Sequence, residues 1–573
     1  MDHAKLQQLR ANRVIAYNNM YLKAEGTRIF KSLTLTEYIN QRNGGMRIID
    51  DSKVYFEAIE PETVTTNTMS GGPCITLIAQ IFLALEDLLV YNASISLPPT
   101  KSARIAYLWF FTVAAGYSWI TPGSITGTKD SWNWDTKNLL SDDTAIFVWM
   151  TQVLVNTMSN FIPSYNTSLL LEQDRMNFGW TEQEHQTVID QVKSQGNFSL
   201  WLSTWQTWYT GRQNDGNVAA GTAATDAQLR NGATTLDVTT TQDFTNATAY
   251  PKPRKWTPLK VGGVKKNFLT YGWGSVNTTC LTAGNETTIK SAATTHFLDP
   301  EDPDPDPVIA AAKSAANIAA RDTEIDNLVT LNNSLTDTQK AIAEFWAGGP
   351  LTVSPPCMMI WFWKKYIEVA NTPIHRMIYS GLELAINIFE GSRLTWALKR
   401  ENMEARPIQE IRRRYAGQNV TNYDGTIING NIWVPYQETN FVTPPFADFP
   451  SGHSTFSQAF ANVMNAWFSP TIPTTMINMT DLYLLSPMYT GLGPLTNSLS
   501  DITVKARTSQ IQTDLVPASD VHLIWSVWQD IADSAGVSRQ YGGIHAVSAN
   551  LGGQAVANTA FPLITSRWAI SRT

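Results

Sequence analysis

Cysteine is scarce in this sequence. Only three occur among 573 residues, Cys74, Cys280 and Cys357, and they lie far apart along the chain. An odd number this small does not support a disulfide framework, and it cannot build a thiolate cluster for a metal ion. Cysteine usage therefore fits a reducing compartment.

Long apolar runs are also missing. The first residues, MDHAKLQQLRANRVIAYNN, contain no apolar segment of the kind found in secretory signal peptides. The longest apolar run, residues 105–120, is too short and too interrupted to cross a bilayer. We therefore expect neither secretion nor membrane spanning, and a cytoplasmic or otherwise intracellular location.

Strong charge of one sign is absent as well. The formal net charge is −7, which gives no general reason to expect a nucleic acid partner. Any anion-binding site must therefore be a local cluster of cations. With 43% hydrophobic residues, a chain of this length can bury a large core.

Helical periodicity is what the sequence has in quantity. The run CITLIAQIFLALEDLLVY has the spacing of a core helix, and Trp201, Trp205 and Trp208 fall on one face of another helix, which we interpret as core packing. Further helices are predicted at 336–347, 358–370, 373–404, 453–467, 518–534 and 543–558, and His522 is interpreted as a structural residue of the fifth. Strand signals are few. The predicted fold class is all-α, with helical bundles joined by long irregular loops.

Three regions are predicted along the chain. Residues 1–95 form a helical extension whose role the sequence does not reveal. Residues 96–308 form a helical N-terminal half with a loop excursion at 213–250 and a connector, LDPEDPDPDP, whose aspartates give calcium binding as an alternative. Residues 309–573 form the bundle that carries the candidate site.

Three peptides in that last region carry reactive groups, and two of them lie before residue 460. In TWALKRENMEARP, Lys399 and Arg406 are seven residues apart, which predicts that both leave the same face of one helix. In TPPFADFPSGHSTFSQAF, residues 451–453 are Ser-Gly-His at a predicted helix start. The free N–H groups and partial positive charge there can hold an oxyanion, although a simple cap with His453 on the surface is the alternative.

The third peptide is SRQYGGIH. Its Gly-Gly pair allows a close turn, so Arg539 and His545 could converge on one pocket. Together the three peptides supply three cations, a hydroxyl, a free N–H and two imidazoles. Two arginines that can each donate through two nitrogens, a lysine ammonium and an imidazole are together typical of a site for a tetrahedral oxyanion.

These peptides, Lys-x6-Arg-Pro, Pro-Ser-Gly-His and Ser-Arg-x5-His in that order, resemble the signature of the vanadium-dependent haloperoxidases. PRKWTPLKVGG, YGWGSV and LTDTQKAIAEFWAGGPLTVSPP resemble segments that bacterial members carry upstream. The resemblance implies a vanadate cofactor with vanadium in its highest oxidation state. It also implies an oxidoreductase that uses hydrogen peroxide to oxidise halide to hypohalous acid or an equivalent halogenating species. The implied partners are peroxide, halide and an organic acceptor, with a homo-oligomer possible and neither nucleic acid nor membrane involved.

The resemblance also implies roles for individual residues. His545 would be the axial vanadium ligand, His453 the acid–base group, and Lys399 would be both an oxygen ligand and a catalytic cation. Trp396 and Phe446 would form the halide pocket. The residues implied to hold the vanadate oxygens are Lys399, Arg406, Ser451, Gly452 and Arg539.

One position departs from the family pattern. The family has an aspartate in Phe-Trp-Ala-Asp-Gly-Pro or a similar stretch, whereas this chain has FWAGGP with Gly348 in that place. A carboxylate that orients the arginines would be missing unless Glu344 or Glu368 reaches in, and restoring it as Gly348→Asp is expected to tighten vanadate binding.

Two other functions remain open from the sequence. An acid phosphatase that works through a phosphohistidine shares the same signature. A non-catalytic structural or assembly protein could keep the fold, although intact buried cations argue against it.

Overall fold

The computed structural model describes residues 72–572 except 141, 164, 302–306, 350–351, 371, 478, 480, 487 and 490–496. Most of the predicted extension, 1–95, therefore lies outside the described residues. So does the centre of the Pro/Asp connector on which the calcium alternative depends.

Helices make up most of the described chain. They are α1 (Gly72–Ser94), α2 (Pro99–Ile120), α3 (Asp143–Phe161), α4 (Ser168–Phe178), α5 (Glu182–Gln195), α6 (Phe198–Gln213), α7 (Asn217–Ala220), α8 (Ala283–Thr294), α9 (Pro307–Asn332), α10 (Asp337–Phe345), α11 (Pro355–Val369), α12 (Ile374–Asn402), α13 (Pro407–Arg414), α14 (Gly452–Trp467), α15 (Trp528–Tyr541) and α16 (Val547–Trp568). The predicted all-α class is confirmed. Across the ranges given above, no helix has the length and apolar character needed to span a bilayer.

The strands are short and peripheral. They are β1 (Thr128–Lys129), β2 (Trp132–Asn133), β3 (Leu236–Asp237), β4 (Leu259–Val261), β5 (Val264–Lys266), β6 (Asn419–Thr421), β7 (Ile427–Asn429), β8 (Met476–Ile477), β9 (Asn497–Ser498), β10 (Asp501–Val504) and β11 (Val521–Ile524). They form two hairpins, β1–β2 and β6–β7, a three-stranded sheet in the order β3-β4-β5 and a four-stranded sheet in the order β11-β10-β9-β8.

One long helix organises the bundle around the site. Helix α12 packs against α2, α14 and α16, and α14 packs in turn against α11 and α15. The main hydrophobic core runs from α1 to α16, so helices from both halves of the chain contribute to it. The tryptophans of α6 lie in this core as expected, with Trp201 and Trp205 stacked at a centroid distance of 6.2 Å.

The predicted helix at 518–534 is wrong in its first half. Residues 521–524 form strand β11, which pairs antiparallel with β10, and the helix begins only at Trp528. His522 is therefore an exposed strand residue whose Nδ1 lies 2.9 Å from Asp501 Oδ1. The sequence VHLI alternates between buried and exposed positions, the period of a strand at a sheet edge.

Candidate functional site

The three peptides converge at the ends of α12, α14 and α15. Lys399 lies in the last turn of α12, but that helix ends at Asn402 and Met403 follows in the left-handed region with φ of 49°. Arg406 is the N-cap of α13, whose first residue is Pro407. The prediction that Lys399 and Arg406 share one helix face is therefore wrong, because a helix end and a new helix start lie between them.

Lys399 is directed at the backbone just before the Pro-Ser-Gly-His peptide. Its side chain is fully buried, and Nζ donates to the carbonyl oxygens of Ala447 at 2.8 Å and Asp448 at 2.9 Å. An ammonium group has three protons. Two are used in these contacts, so one remains for an anion.

The side chain of Arg406 contacts both the segment before Pro-Ser-Gly-His and the segment that ends at His545. Its Nε donates to Phe446 O at 2.7 Å, and its Nη1 donates to Ile544 O at 2.8 Å and contacts His545 Nε2 at 3.1 Å. The guanidinium is buried, and within the part of the chain that the structure describes its Nη2 has no hydrogen-bond partner. A buried guanidinium nitrogen without an acceptor is a donor that an anionic ligand would satisfy.

The Pro-Ser-Gly-His peptide starts α14. Ser451 is its N-cap, with a side chain that accepts from Ser454 N, and Gly452 and His453 are its first two residues. N–H groups at these positions have no acceptor within their own helix and point along its positive end. The predicted helix start is thus found, and His453 is partly buried rather than lying on an open surface.

His453 has one defined partner. Its Nε2 lies 2.8 Å from the carbonyl oxygen of Trp346. A carbonyl only accepts, so Nε2 carries the proton and Nδ1 keeps a lone pair. Burial and the neighbouring Arg539 hold the pKa of His453 well below its ordinary range. At neutral pH the ring is therefore a neutral base.

Arg539, in the last turn of α15, is held by backbone carbonyl groups. Its Nη2 donates to Ala343 O at 2.8 Å and its Nη1 to Ala347 O at 3.2 Å, and both acceptors lie at the carboxyl end of α10. That end carries the negative half of the helix dipole. The guanidinium is thus oriented without a carboxylate in the FWAGGP segment.

Neither glutamate predicted as a substitute for the missing aspartate contacts the arginines of the site. The carboxylate of Glu344 accepts hydrogen bonds from Tyr436 Oη, Ser509 Oγ and Gln510 N. Glu368 pairs with the lysines of its own helix, α11.

The Gly-Gly turn delivers His545 to the site. Gly543 has φ of 68°, and a Cβ at this position would lie 2.8 Å from Asn332 Oδ1 and 2.9 Å from Pro435 Cβ. Glycine is required for both the conformation and the close approach. His545 then lies beside Arg406, and its backbone N–H donates to Arg539 O at 3.3 Å across the turn.

Asp448 lies behind His545 and was not identified from the sequence. Its Oδ1 lies 2.5 Å from His545 Nδ1 and 3.8 Å from Arg406 Nη1, and its Oδ2 accepts from Arg321 Nη2 at 2.8 Å. Asp448 lies three residues before Ser451, within the peptide TPPFADFPSGHSTFSQAF that was singled out from the sequence. Arg321 lies on α9, and no spacing in the sequence connects it to the site.

Burial and like charge set the electrostatics of the cage. Burial and the nearby charge of Arg406 together lower the pKa of Arg539 to about 9, and burial lowers the pKa of Arg406 to about 10. The pKa of Lys399 lies well below its ordinary value, again through burial and then through Arg406. For His545, burial and Arg406 lower the pKa to about 3 against the opposing effect of Asp448. Groups with this pattern gain from a bound anion.

The two predicted pocket aromatics lie against the cations. The ring centroids of Trp396 and Phe446 are 4.8 Å apart. Lys399 Nζ lies 5.8 Å from the Trp396 ring and 5.0 Å from that of Phe446, and Arg406 Cζ lies 5.0 Å from the Phe446 ring. The site thus has an apolar wall that faces its positive charge.

The donor set fits vanadate. Lys399, Arg406, Arg539, Ser451 and Gly452 offer hydrogen-bond donors, and the Nε2 lone pair of His545 is the acceptor among them. In the described part of the chain, no group of three or more His, Cys, Asp or Glu residues is arranged to bind a metal cation. An oxyanion, and not a bare cation, is the ligand that these residues suit.

Comparison with known proteins agrees with this geometry. Residues 381–561, which contain all three signature peptides, match the model of the VCPO second helical-bundle domain, VCPO standing for vanadium chloroperoxidase. Residues 381–561 of this chain are therefore similar to the second helical bundle of the vanadium haloperoxidases.

Solved structures extend the likeness over most of the chain. The holo form of a bacterial vanadium-dependent chloroperoxidase aligns with a TM-score of 0.54 at 14% identity, over 83% of this chain and 94% of that one. A bacterial vanadium-dependent iodoperoxidase aligns with a TM-score of 0.52 at 15% identity, over 88% and 98%. This chain thus has the vanadium haloperoxidase fold. No curated protein matches the sequence.

Proposed function

We propose that this chain is a vanadate-dependent haloperoxidase that uses hydrogen peroxide to oxidise halide to hypohalous acid or an equivalent halogenating species. The observation that supports it most is a buried cage of three cations with unused donors beside the imidazole of His545. The fold of the chain and the match of residues 381–561 to the family model agree with this proposal.

The proposed binding roles follow from the contacts. Lys399 contributes its remaining proton, Arg406 its unpartnered Nη2, and Arg539 the N–H groups that the α10 carbonyl groups leave free. Ser451 and Gly452 add neutral donors at the start of α14. When bound, vanadate supplies Lewis-acid activation of hydrogen peroxide without a change in its own oxidation state.

His453 is proposed to manage protons. Its neutral ring presents Nδ1 as the acceptor, since Nε2 is used on Trp346 O. A base that is neutral at the working pH can take a proton from hydrogen peroxide and return it to the departing oxygen. Because Gly348 lies beside this ring, changes at that position should act on proton transfer.

Trp396 and Phe446 are proposed to guide the halide. Their rings cover one side of Lys399, where the positive charge attracts an anion and the apolar surface removes water from it. A weakly hydrated halide is favoured by such a wall. The pair does not by itself distinguish chloride, bromide and iodide.

The second candidate is phosphomonoester hydrolysis through a phosphohistidine. It is favoured by the contact between Asp448 and His545 Nδ1, because a carboxylate behind an imidazole raises the nucleophilicity of the opposite nitrogen. The same cage would hold the phosphoryl oxygens.

One set of assays separates these functions. Purified protein is incubated with vanadate, hydrogen peroxide and chloride, bromide or iodide in turn, and halogenation of an activated organic acceptor is followed. Parallel samples receive an aryl phosphate ester without vanadate. We expect halogenation that depends on added vanadate and is inhibited by phosphate, since both anions compete for one cage.

Three results would contradict the proposal. Ester hydrolysis without halogenation would favour the phosphatase, and His545→Ala is the control that removes the shared acceptor. Halide oxidation that survives thorough removal of vanadate would exclude a vanadate-dependent reaction. If the protein binds vanadate but has neither activity, a non-catalytic structural or assembly protein would be the remaining function.

A further inference from the structure

Asp448 is a buried carboxylate at the centre of a cationic site. Its side chain is 0% exposed, its N–H donates to Glu404 O at 3.0 Å, and its own carbonyl oxygen accepts from Lys399. Its carboxylate faces His545 and Arg406 on one side and Arg321 on the other. A buried carboxylate in this position must be stabilised by positive or hydrogen-bonding neighbours, because an unpaired buried charge strongly destabilises the fold.

The neighbours of His545 permit only one arrangement of its ring protons. Asp448 Oδ1 lies 2.5 Å from Nδ1, and the negative charge of the ionised carboxylate favours the proton on that nitrogen. Arg406 Nη1, 3.1 Å from Nε2, can only donate, so Nε2 carries the lone pair. Both sides therefore select the tautomer in which Nε2 is free to bind an electrophilic centre.

Arg321 connects this carboxylate to all three signature peptides. Its Nη2 donates to Asp448 Oδ2 at 2.8 Å and to Ala405 O at 3.2 Å, and its Nη1 lies 3.4 Å from Ser548 Oγ. Ala405 precedes Arg406, and Ser548 lies three residues after His545. Arg321 is on α9, outside the 381–561 segment that matches the family model.

We infer that Asp448 and Arg321 are a positioning pair for His545. Asp448 fixes the tautomer of the imidazole, and Arg321 fixes Asp448 against the carbonyl oxygen of Ala405 and the side-chain hydroxyl of Ser548. The pair supplies, from behind the Pro-Ser-Gly-His peptide, a carboxylate in a site whose FWAGGP segment has none. This inference rests on the proposed function in that vanadate is the ligand that His545 is held to receive.

Orientation and charge predict opposite effects for Asp448→Asn. By charge alone, removing a negative group beside the cage would tighten the binding of any anion. By orientation, loss of the carboxylate partner of a ligating histidine weakens affinity about 10-fold to 100-fold. The direction of the change therefore identifies the role.

The test measures vanadate binding to the apo protein by equilibrium dialysis, in wild type, Asp448→Asn and Glu404→Gln. Glu404 is the matched control, since its buried carboxylate lies 3.6 Å from the same Arg321 but is not in contact with His545 in the described structure. We expect Asp448→Asn to bind about 10-fold to 100-fold more weakly than Glu404→Gln. Equal or tighter binding in Asp448→Asn would overturn the inference.

A second readout does not depend on vanadate. Long-range ¹⁵N–¹H NMR of histidine-labelled apo protein distinguishes the two neutral tautomers, and His545→Ala identifies the signal. Wild type and Glu404→Gln should show Nδ1–H alone, and Asp448→Asn a detectable fraction of Nε2–H, because Arg406 alone then opposes that tautomer. An unchanged tautomer in Asp448→Asn overturns the inference even if its affinity falls.

If Asp448→Asn does not fold, Arg321→Lys takes its place. It keeps the charge but loses the planar guanidinium whose Nη2 reaches Asp448 and Ala405 and whose Nη1 reaches Ser548, so we expect several-fold weaker vanadate binding. Wild-type affinity in that variant would also overturn the inference. Failure of the proposed function would look different: wild type would bind vanadate normally and oxidise no halide.

Discussion

Substitution of Gly348 tests how the arginines of the site are held. The sequence alone favours Gly348→Asp as a change that restores a family carboxylate and tightens vanadate binding. In the structure, however, Arg539 already donates to Ala343 O and Ala347 O at 2.8 and 3.2 Å. The orientation that an aspartate would provide is therefore largely in place.

The local geometry makes the substitution costly. Gly348 has φ of 57°, a conformation that costs most other residues roughly 1–2 kcal/mol and costs Asp and Asn less. A Cβ there would lie 3.1 Å from Pro355 Cγ and 3.4 Å from His453 Nε2. A new carboxylate at roughly 6 Å from the His453 ring would interact with its charged form by about 2–3 kcal/mol at an effective dielectric near 20, before screening. The pKa of His453 would rise.

We therefore expect Gly348→Asp to bind vanadate about 10-fold more weakly than Gly348→Asn, the difference of about 1.4 kcal/mol being what remains of the charge effect after screening. Gly348→Asn is the control, since it has nearly the same shape and tolerance of positive φ but no charge. Gly348→Ala reports the backbone strain through the free energy of unfolding. Vanadate titration and the pH profile of turnover are measured on all three. Tighter binding in Gly348→Asp than in Gly348→Asn would refute the reasoning and restore the expectation from the sequence.

Three further predictions concern the cage. His545→Ala should abolish measurable vanadate binding while His453→Ala keeps it and loses turnover, and equal binding in the two variants would contradict these roles. Phe446→Leu should weaken vanadate binding about 5-fold to 30-fold, the loss of roughly 0.5–1 kcal/mol for each of its two cation–π contacts, and raise the halide KM. Phe268→Leu, whose ring lies 6.4 Å from that of Phe446, should change neither. Because the pKa of His545 is about 3 in the fold and ordinarily about 6.5, the unfolded chain binds its proton first, so stability is lost as pH falls through that window. Denaturant unfolding at pH 4.5, 5.5 and 6.5 should show wild type losing about 1.4 kcal/mol per pH unit relative to His545→Gln, and parallel pH dependences would refute this.

The sequence predicted the parts of the site that local chemistry determines. The helix start at Ser451 follows from a proline before a capping residue, and the Gly542-Gly543 turn follows from the need for positive φ and close approach. The core role of the Trp201 face follows from helical period. Each depends on residues within a few positions of one another.

The sequence failed where distant segments decide. Lys399 and Arg406 fit one helix by spacing, but the left-handed Met403 ends the helix between them, and an isolated bridge from Glu404 to Lys255 holds the connecting chain. Residues 521–524 form a strand because β10 lies beside them. Arg321 is 127 positions from its partner Asp448, so no local sequence pattern could connect them.

The charges around the cage explain why an anion belongs there. Lys399, Arg406 and Arg539 are each buried, and each has its pKa lowered by burial, with Arg406 lowering the other two further. Holding such groups together costs folding free energy unless opposite charge is near. Asp448 partly compensates the charge of Arg406, while the neutral groups of Ala343 O, Ala347 O and Ser538 Oγ accept from Arg539. A bound oxyanion would compensate the remainder and would stabilise the folded chain by RT ln(1 + [L]/Kd), which is about 2.7 kcal/mol at a ligand concentration of 100 Kd. The positive charge that makes the empty site costly is thus the same charge that would give it affinity.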